Sequence, residues 1–97
     1  MFVILVNYLR PLAEVDALLA EHRAFLAQRY ASGHFLVSGR REPRDGGVIL
    51  ARAASRAEVE AIVTEDPFHQ AGLAEYQILE FTPTMAAPEL SVLMPPA

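Results

Sequence analysis

The sequence predicts one α+β domain of the βαββαβ type, in which two helices cover one face of a four-stranded antiparallel sheet. Four short segments rich in β-branched and aromatic residues indicate strands, and two segments with apolar residues at helical spacing indicate helices. A turn signal between the second and third strands indicates a hairpin. Because 97 residues have room for only one hydrophobic core, a single domain must contain all six elements.

A proline separates the first strand from the first helix. The segment Phe2–Tyr8 is apolar without alternation as far as Asn7, which is typical of a central strand covered on both faces. After Pro11, apolar residues recur at helical spacing over Leu12–Tyr30, and Gly33 is a suitable C-terminal cap. We therefore expect a helix over residues 12–30.

The second and third strands are predicted to be antiparallel neighbours. The segment Phe35–Gly39 has the composition of a short strand, and a third strand is expected over Gly47–Ala53. Between them, the run Asp45-Gly46-Gly47 is a strong hairpin signal.

The second helix begins at a capping box formed by Ser55 and Glu58. It is expected to end near Asp66, because Pro67 disfavours a helical conformation at the residue before it. The domain is predicted to span residues 1–82. Its remaining parts are a short turn or helical coil at 68–72 and a fourth strand at 75–82, and a proline-containing tail follows at 83–97.

One face of the predicted sheet has no helix to cover it. Right-handed crossovers place both helices on the same face, yet the first strand is apolar on both sides. The chain is also 53% hydrophobic, which is more than a domain this small hides easily. We therefore expect a homodimer in which the bare face packs against a second copy. The alternative is a monomer with a solvated face.

Composition excludes several classes of function. The net charge is −4 and lysine is absent, so we expect no nucleic-acid partner. Without cysteine there are no disulfides, thiolate metal sites or cysteine nucleophiles. The apolar opening segment is too short for a signal peptide or a membrane span, so we expect a cytoplasmic protein with no membrane association.

Two titratable residues interrupt the apolar stripes of the predicted helices. His22 fills a slot in the first stripe where leucine would fit, and Asp66 continues the second stripe. An unpaired buried carboxylate costs several kcal/mol, and one at a helix C-terminus also opposes the helix dipole. We therefore expect His22 and Asp66 to form a hydrogen bond that leaves one imidazole nitrogen free as a general base.

A purely structural interpretation of this pair stays open. The two side chains could simply satisfy each other in the core, or Asp66 could cap the turn that follows it. His34 and His69 are expected in exposed loops, and no metal-ligand spacing links the three histidines. Familiar phosphate-binding and nucleophile motifs are also missing, which favours chemistry without a cofactor or metal, or plain binding.

The end of the second strand offers candidate ligand contacts. Ser38, Arg40 and Arg41 could line a cleft in which an arginine binds a carboxylate or phenolate of a ligand. The alternative is that these residues form an exposed hairpin edge.

Three segments resemble the YCII-related (YciI-like) proteins: Glu21–Leu26, Leu36–Gly39 and Asp66–Phe68, the last followed by Ala71–Leu73. The resemblance extends from the first strand to about Phe81. It implies a dimeric, ferredoxin-like α+β barrel whose active-site pair is here His22 and Asp66. Phe68, the aromatic residue of the third segment, becomes a candidate substrate contact. Arg40 departs from the family, in which proline is common at that position.

The resemblance also implies a type of chemistry. One catabolic branch of the family is a cofactor-free dehydrochlorinase that acts on a chlorinated hydroxyquinol. Our first hypothesis is therefore a cofactor-independent lyase or isomerase acting on a hydroxylated aromatic or small carbonyl compound, with His22 as acid or base and Asp66 orienting it. The alternatives are a module that binds a small metabolite without turnover and a dimeric scaffold.

Overall fold

A computed structural model describes residues 1–95 and shows a four-stranded antiparallel sheet. The strand bounds are Phe2–Tyr8 for β1, Phe35–Arg40 for β2, Gly46–Ala51 for β3 and Ala74–Glu80 for β4. The strands are ordered β2-β3-β1-β4, so the first strand lies in the interior of the sheet, as its composition predicts. The predicted α+β class and βαββαβ order are confirmed.

Four α-helices connect the strands. The bounds are Leu12–Ala17 for α1, Leu19–Ala31 for α2, Arg56–Val63 for α3 and Pro67–Gln70 for α4, and a 3₁₀ helix spans Pro88–Leu93 in the tail. The expected first helix is thus two helices, because Leu18 leaves the helical conformation. Its apolar spacing continues across this break, so periodicity alone does not reveal it. No helix within residues 1–95 is long and apolar enough to cross a bilayer.

The hydrophobic core lies between the helices and one face of the sheet. In β1 the buried residues are Phe2, Ile4 and Val6, which pack in one cluster with residues of α1, α2, α3 and α4. Because side chains alternate along a strand, the residues between them point to the other face. We call that surface the outer face; it includes Val3, Leu5, Val37, Leu50 and Leu79.

The hairpin between β2 and β3 differs in detail from its prediction. Gly46 and Gly47 lie within β3 rather than in the turn. Gly46 is paired with Asn7 of β1, and a Cβ atom at position 46 would lie 1.9 Å from the carbonyl oxygen of Val6. The glycine at position 46 is therefore required for close strand packing, not for turn geometry.

Candidate active site

His22 lies on α2 and faces the start of α4. Its Nδ1 is 2.9 Å from Oδ1 of Asp66, which is hydrogen-bond distance. The imidazole ring stacks on the ring of Phe68, with centroids 4.1 Å apart and planes 6° from parallel. The side chain is 13% exposed, so the ring is held on two sides but still reaches the surface. The structure thus brings together the two residues that interrupt the helical stripes.

Asp66 is fully buried, and its carboxyl oxygens lie at hydrogen-bond distance from three polar groups of the protein. Oδ1 accepts from the backbone N–H of Phe68 at 3.0 Å as well as lying against His22. Oδ2 accepts from the hydroxyl of Tyr76 at 2.7 Å. With an exposed fraction of 0%, this carboxyl has no water to solvate it, and these donors replace that water.

The local role of Asp66 differs from the sequence expectation. The helix α3 ends at Val63, so Asp66 does not sit in its last turn against the helix dipole. Instead Asp66 is the N-cap of the short α4, and Pro67 occupies the first position of that helix. The contact with His22 and the cap of the following turn therefore occur together. Oδ1 of Asp66 accepts from the backbone N–H of Phe68 and also lies at hydrogen-bond distance from Nδ1 of His22.

Tyr76 is a member of this cluster that sequence reasoning missed. It lies on the inward face of β4, paired with Val6 of β1. Burial raises the pKa of its hydroxyl, and the neighbouring Asp66 charge raises that pKa further, so the phenol stays protonated and donates. Its signal in the sequence is a phenol at an inward strand position, where the hydroxyl needs a buried partner.

A cleft of about 590 Å³ opens beside His22, between α2 and the β2–β3 part of the sheet. Leu19 and Leu26 of α2 line it together with Val6 and Ile49 of the sheet, which gives it an apolar wall. The volume suits a small organic molecule. His22 lines this cleft, and its Nε2 makes no hydrogen bond within residues 1–95, so a ligand there has a ring nitrogen available to it.

Three of the four candidate contact residues line the cleft. These three are Ser38, Arg40 and Phe68. Ser38 hydrogen-bonds Tyr30, and Arg40 forms an exposed pair with Glu42 at 3.0 Å. Arg41 does not line the cleft, because its guanidinium binds the side chains of Asn7 and Asp45.

The other two histidines are not among the residues that line the cleft. His34 contacts Ser32 at 2.7 Å and Glu58 at 3.3 Å, and His69 is an exposed residue of α4 whose ring centroid is 5.6 Å from that of Tyr76. Within the described part of the chain, no group of three His, Cys, Asp or Glu side chains is arranged to bind a metal ion.

Fold and cleft together define a small, ferredoxin-like α+β protein with a histidine–carboxylate pair beside a pocket of small-molecule size. The chain belongs to the YCII-related domain family, which it matches over residues 1–82. This confirms the family resemblance found in the sequence.

A solved structure with the same fold is 5-chloro-2-hydroxyhydroquinone dehydrochlorinase (TftG) from Burkholderia phenoliruptrix AC1100, in complex with 2,5-dihydroxybenzoquinone. The TM-score is 0.71 at 24% sequence identity, and the similarity covers 84% of this chain and 94% of the dehydrochlorinase. No curated protein matches this chain in sequence.

Proposed function

We propose that this protein is a small cofactor-independent enzyme in which His22 transfers a proton and Asp66 orients its ring. The observation that carries the proposal is the 2.9 Å contact between Nδ1 of His22 and the buried carboxyl of Asp66, at the edge of a cleft. An ionised carboxylate can only accept, so Nδ1 donates the hydrogen bond and Nε2 is left as the basic nitrogen.

The chemistry that fits this arrangement is proton abstraction followed by elimination. Because an aromatic carbon does not release chloride directly, a keto tautomer forms first: one ring hydroxyl loses a proton and the chlorine-bearing carbon gains one. Nε2 of His22 then takes the proton of a second hydroxyl, a C=O bond and a ring C=C bond form, and chloride departs with its bonding electrons. The balance is loss of HCl without an oxidant or reductant. A positioned acid or base contributes about 10²- to 10⁴-fold to such a step.

We propose a hydroxylated aromatic compound as the substrate. The dehydrochlorinase with this fold acts on a chlorinated hydroxyhydroquinone and its structure contains a dihydroxybenzoquinone. In this chain the apolar cleft wall would contact the ring, Ser38 and Arg40 would contact its oxygen substituents, and Phe68 would form the floor beneath His22.

We also propose that the protein works as a homodimer in the cytoplasm. Val37 and Leu79 on the outer face are 58% and 47% exposed, and a second copy packed on this face would bury them. The absence of cysteine suits a reducing compartment.

The proposal is tested with His22→Gln, which removes the titratable ring and keeps hydrogen-bonding capacity. The measurement is release of chloride from 5-chloro-2-hydroxyhydroquinone and, in parallel, turnover of related hydroxylated aromatics. We expect His22→Gln to lower kcat by about 10²-fold or more while the melting temperature changes little. The matched control is His34→Gln, which does not line the cleft and should keep full activity.

Two outcomes contradict the proposal. If His22→Gln retains wild-type turnover, the proton is transferred elsewhere. If a hydroxylated aromatic binds to the wild-type protein and is recovered unchanged under all conditions, the cleft belongs to a binding module rather than an enzyme.

A further inference from the structure

We propose that the cleft contains an anion subsite centred on Arg23, so that its ligand carries a carboxylate or phenolate group. The proposal rests on the proposed function only for the identity of the cleft as the ligand site. Beyond the proposed function, the subsite specifies that the ligand is an anion and that Arg23 selects for its charge.

The charges that line the cleft are opposite in sign to those of the whole chain. Three arginines, Arg23, Arg40 and Arg44, line it, whereas Asp16 is the one carboxylate-bearing side chain among the described residues that do so. The chain as a whole has a net charge of −4. Positive charge is therefore concentrated where a small molecule would enter, and such a concentration attracts anions.

Ion pairs within the protein do not neutralise all three arginines. Arg44 is paired with Asp16, and this hydrogen bond lowers the pKa of the Asp16 carboxyl and keeps it charged. Arg40 is paired with Glu42, but both side chains are largely exposed, so the attraction is weak and easily exchanged for a ligand. Arg23 has no carboxylate side chain within 4.0 Å among residues 1–95, which leaves its guanidinium open to a partner.

Arg23 is also well placed relative to the titratable pair. It follows His22 on α2, and with Leu19 and Leu26 these residues present both an apolar strip and a cation to the same cleft. A ligand with an apolar ring and an anionic end matches this order. The planar guanidinium donates two parallel hydrogen bonds to a carboxylate, which a lysine ammonium does not do.

The test uses a matched pair of probes, benzoate and benzamide, which have the same ring and nearly the same shape but differ in charge. Binding is measured by calorimetry and by NMR chemical shifts at low and high salt. We expect benzoate to bind at least about tenfold more tightly than benzamide, with the difference shrinking as salt is added.

Three variants locate the effect. Arg23→Gln should weaken benzoate by about tenfold and leave benzamide within about twofold, and Arg23→Lys should fall between the wild type and Arg23→Gln. The matched control is Arg52→Gln, which removes the same charge from an exposed residue that does not line the cleft. It should bind both probes as the wild type does.

Several results would overturn the subsite. These are equal affinities of the wild type for the two probes, no binding of benzoate at millimolar concentration, or equal effects of Arg23→Gln and Arg52→Gln. Because the probes are bound and not converted, these results are independent of the turnover assay with His22→Gln. An inactive protein that still selects benzoate through Arg23 would contradict the proposed function and leave the subsite intact.

Discussion

The two faces of the sheet break the usual distribution of polar and apolar groups in opposite ways. Over the inner face, which the helices cover, the carboxyl of Asp66 at the N-cap of α4 is fully buried. On the outer face aliphatic side chains such as Val37 and Leu79 are about half exposed. Neither arrangement is what a small domain needs for its own stability, since apolar burial stabilises it and polar burial does not.

The unusual residues of the two faces have different explanations. The buried carboxyl has three hydrogen-bond partners, so its cost is largely offset, and one of those partners is the ring that borders the cleft. Val37 and Leu79 of the outer face, in contrast, leave about half of their apolar surface in contact with water. We therefore interpret the inner face as the one that serves the proposed chemistry and the outer face as the one that serves the proposed association.

Asp66→Asn should disturb the inner face most. The amide keeps the size of the carboxylate but places an NH₂ group against N–H and O–H donors, so at least one buried donor loses its acceptor. We expect a loss of about 1–3 kcal/mol in the free energy of unfolding, measured by urea denaturation. Turnover should fall as well, because Nδ1 of His22 loses its charged partner.

A matched change at an exposed site is Asp45→Asn, which should affect stability and turnover much less. If both variants are equally stable, the three hydrogen bonds to Asp66 do not contribute as described. If Asp66→Asn loses stability but keeps full turnover, the pair is only structural.

A charge placed on the outer face tests its role in association. Leu5 lies at the centre of this face on β1, so Leu5→Lys would bury a cation in the expected interface. We expect the assembly to change from two chains to one in sedimentation equilibrium, at protein concentrations where the wild type is dimeric. The control Ala61→Lys on the exposed side of α3 should leave the mass unchanged. A wild type that is already monomeric would contradict the dimer.

The smallest effect is expected for Tyr76→Phe, which removes one hydrogen bond to Asp66. At neutral pH the variant should be less stable by about 1 kcal/mol. Because burial raises the pKa of Tyr76 above its ordinary value of 10.0, the unfolded chain releases this proton at a lower pH than the folded one. The wild type therefore loses stability as pH rises above about 10, and the variant should lose less.

The measurement is a series of urea unfolding curves between about pH 8 and pH 11.5. Tyr8 also has a raised pKa, so a smaller alkaline loss should remain in Tyr76→Phe. Parallel stability curves for the wild type and the variant would contradict a buried, neutral Tyr76.

The sequence predicts the architecture better than the details of the site. Strand composition and helical spacing are enough to predict the βαββαβ order, because both patterns reflect which side chains are buried. The same periodicity singles out His22 and Asp66 as polar residues at buried positions. It does not reveal the break at Leu18, since the apolar stripe continues through it.

Tertiary contacts account for what the sequence does not predict. Tyr76 meets Asp66 only because β4 lies beside β1 under α4, a juxtaposition that local patterns do not contain. The cap at Asp66 depends on α3 ending three residues earlier than Pro67 alone implies. That Arg23 lines the cleft is likewise visible only once α2 is placed against the β2–β3 hairpin.

In the proposed site, the buried carboxylate of Asp66 holds the His22 ring with Nδ1 protonated and Nε2 free towards the cleft. The tautomer of neutral His22 can be read from the ¹⁵N chemical shifts of its ring in long-range ¹H–¹⁵N spectra. We expect the Nδ1–H tautomer in the wild type and a loss of this preference in Asp66→Asn. A wild-type ring with the proton on Nε2 would overturn the proposed site, since Nδ1 would then have nothing to donate to Asp66.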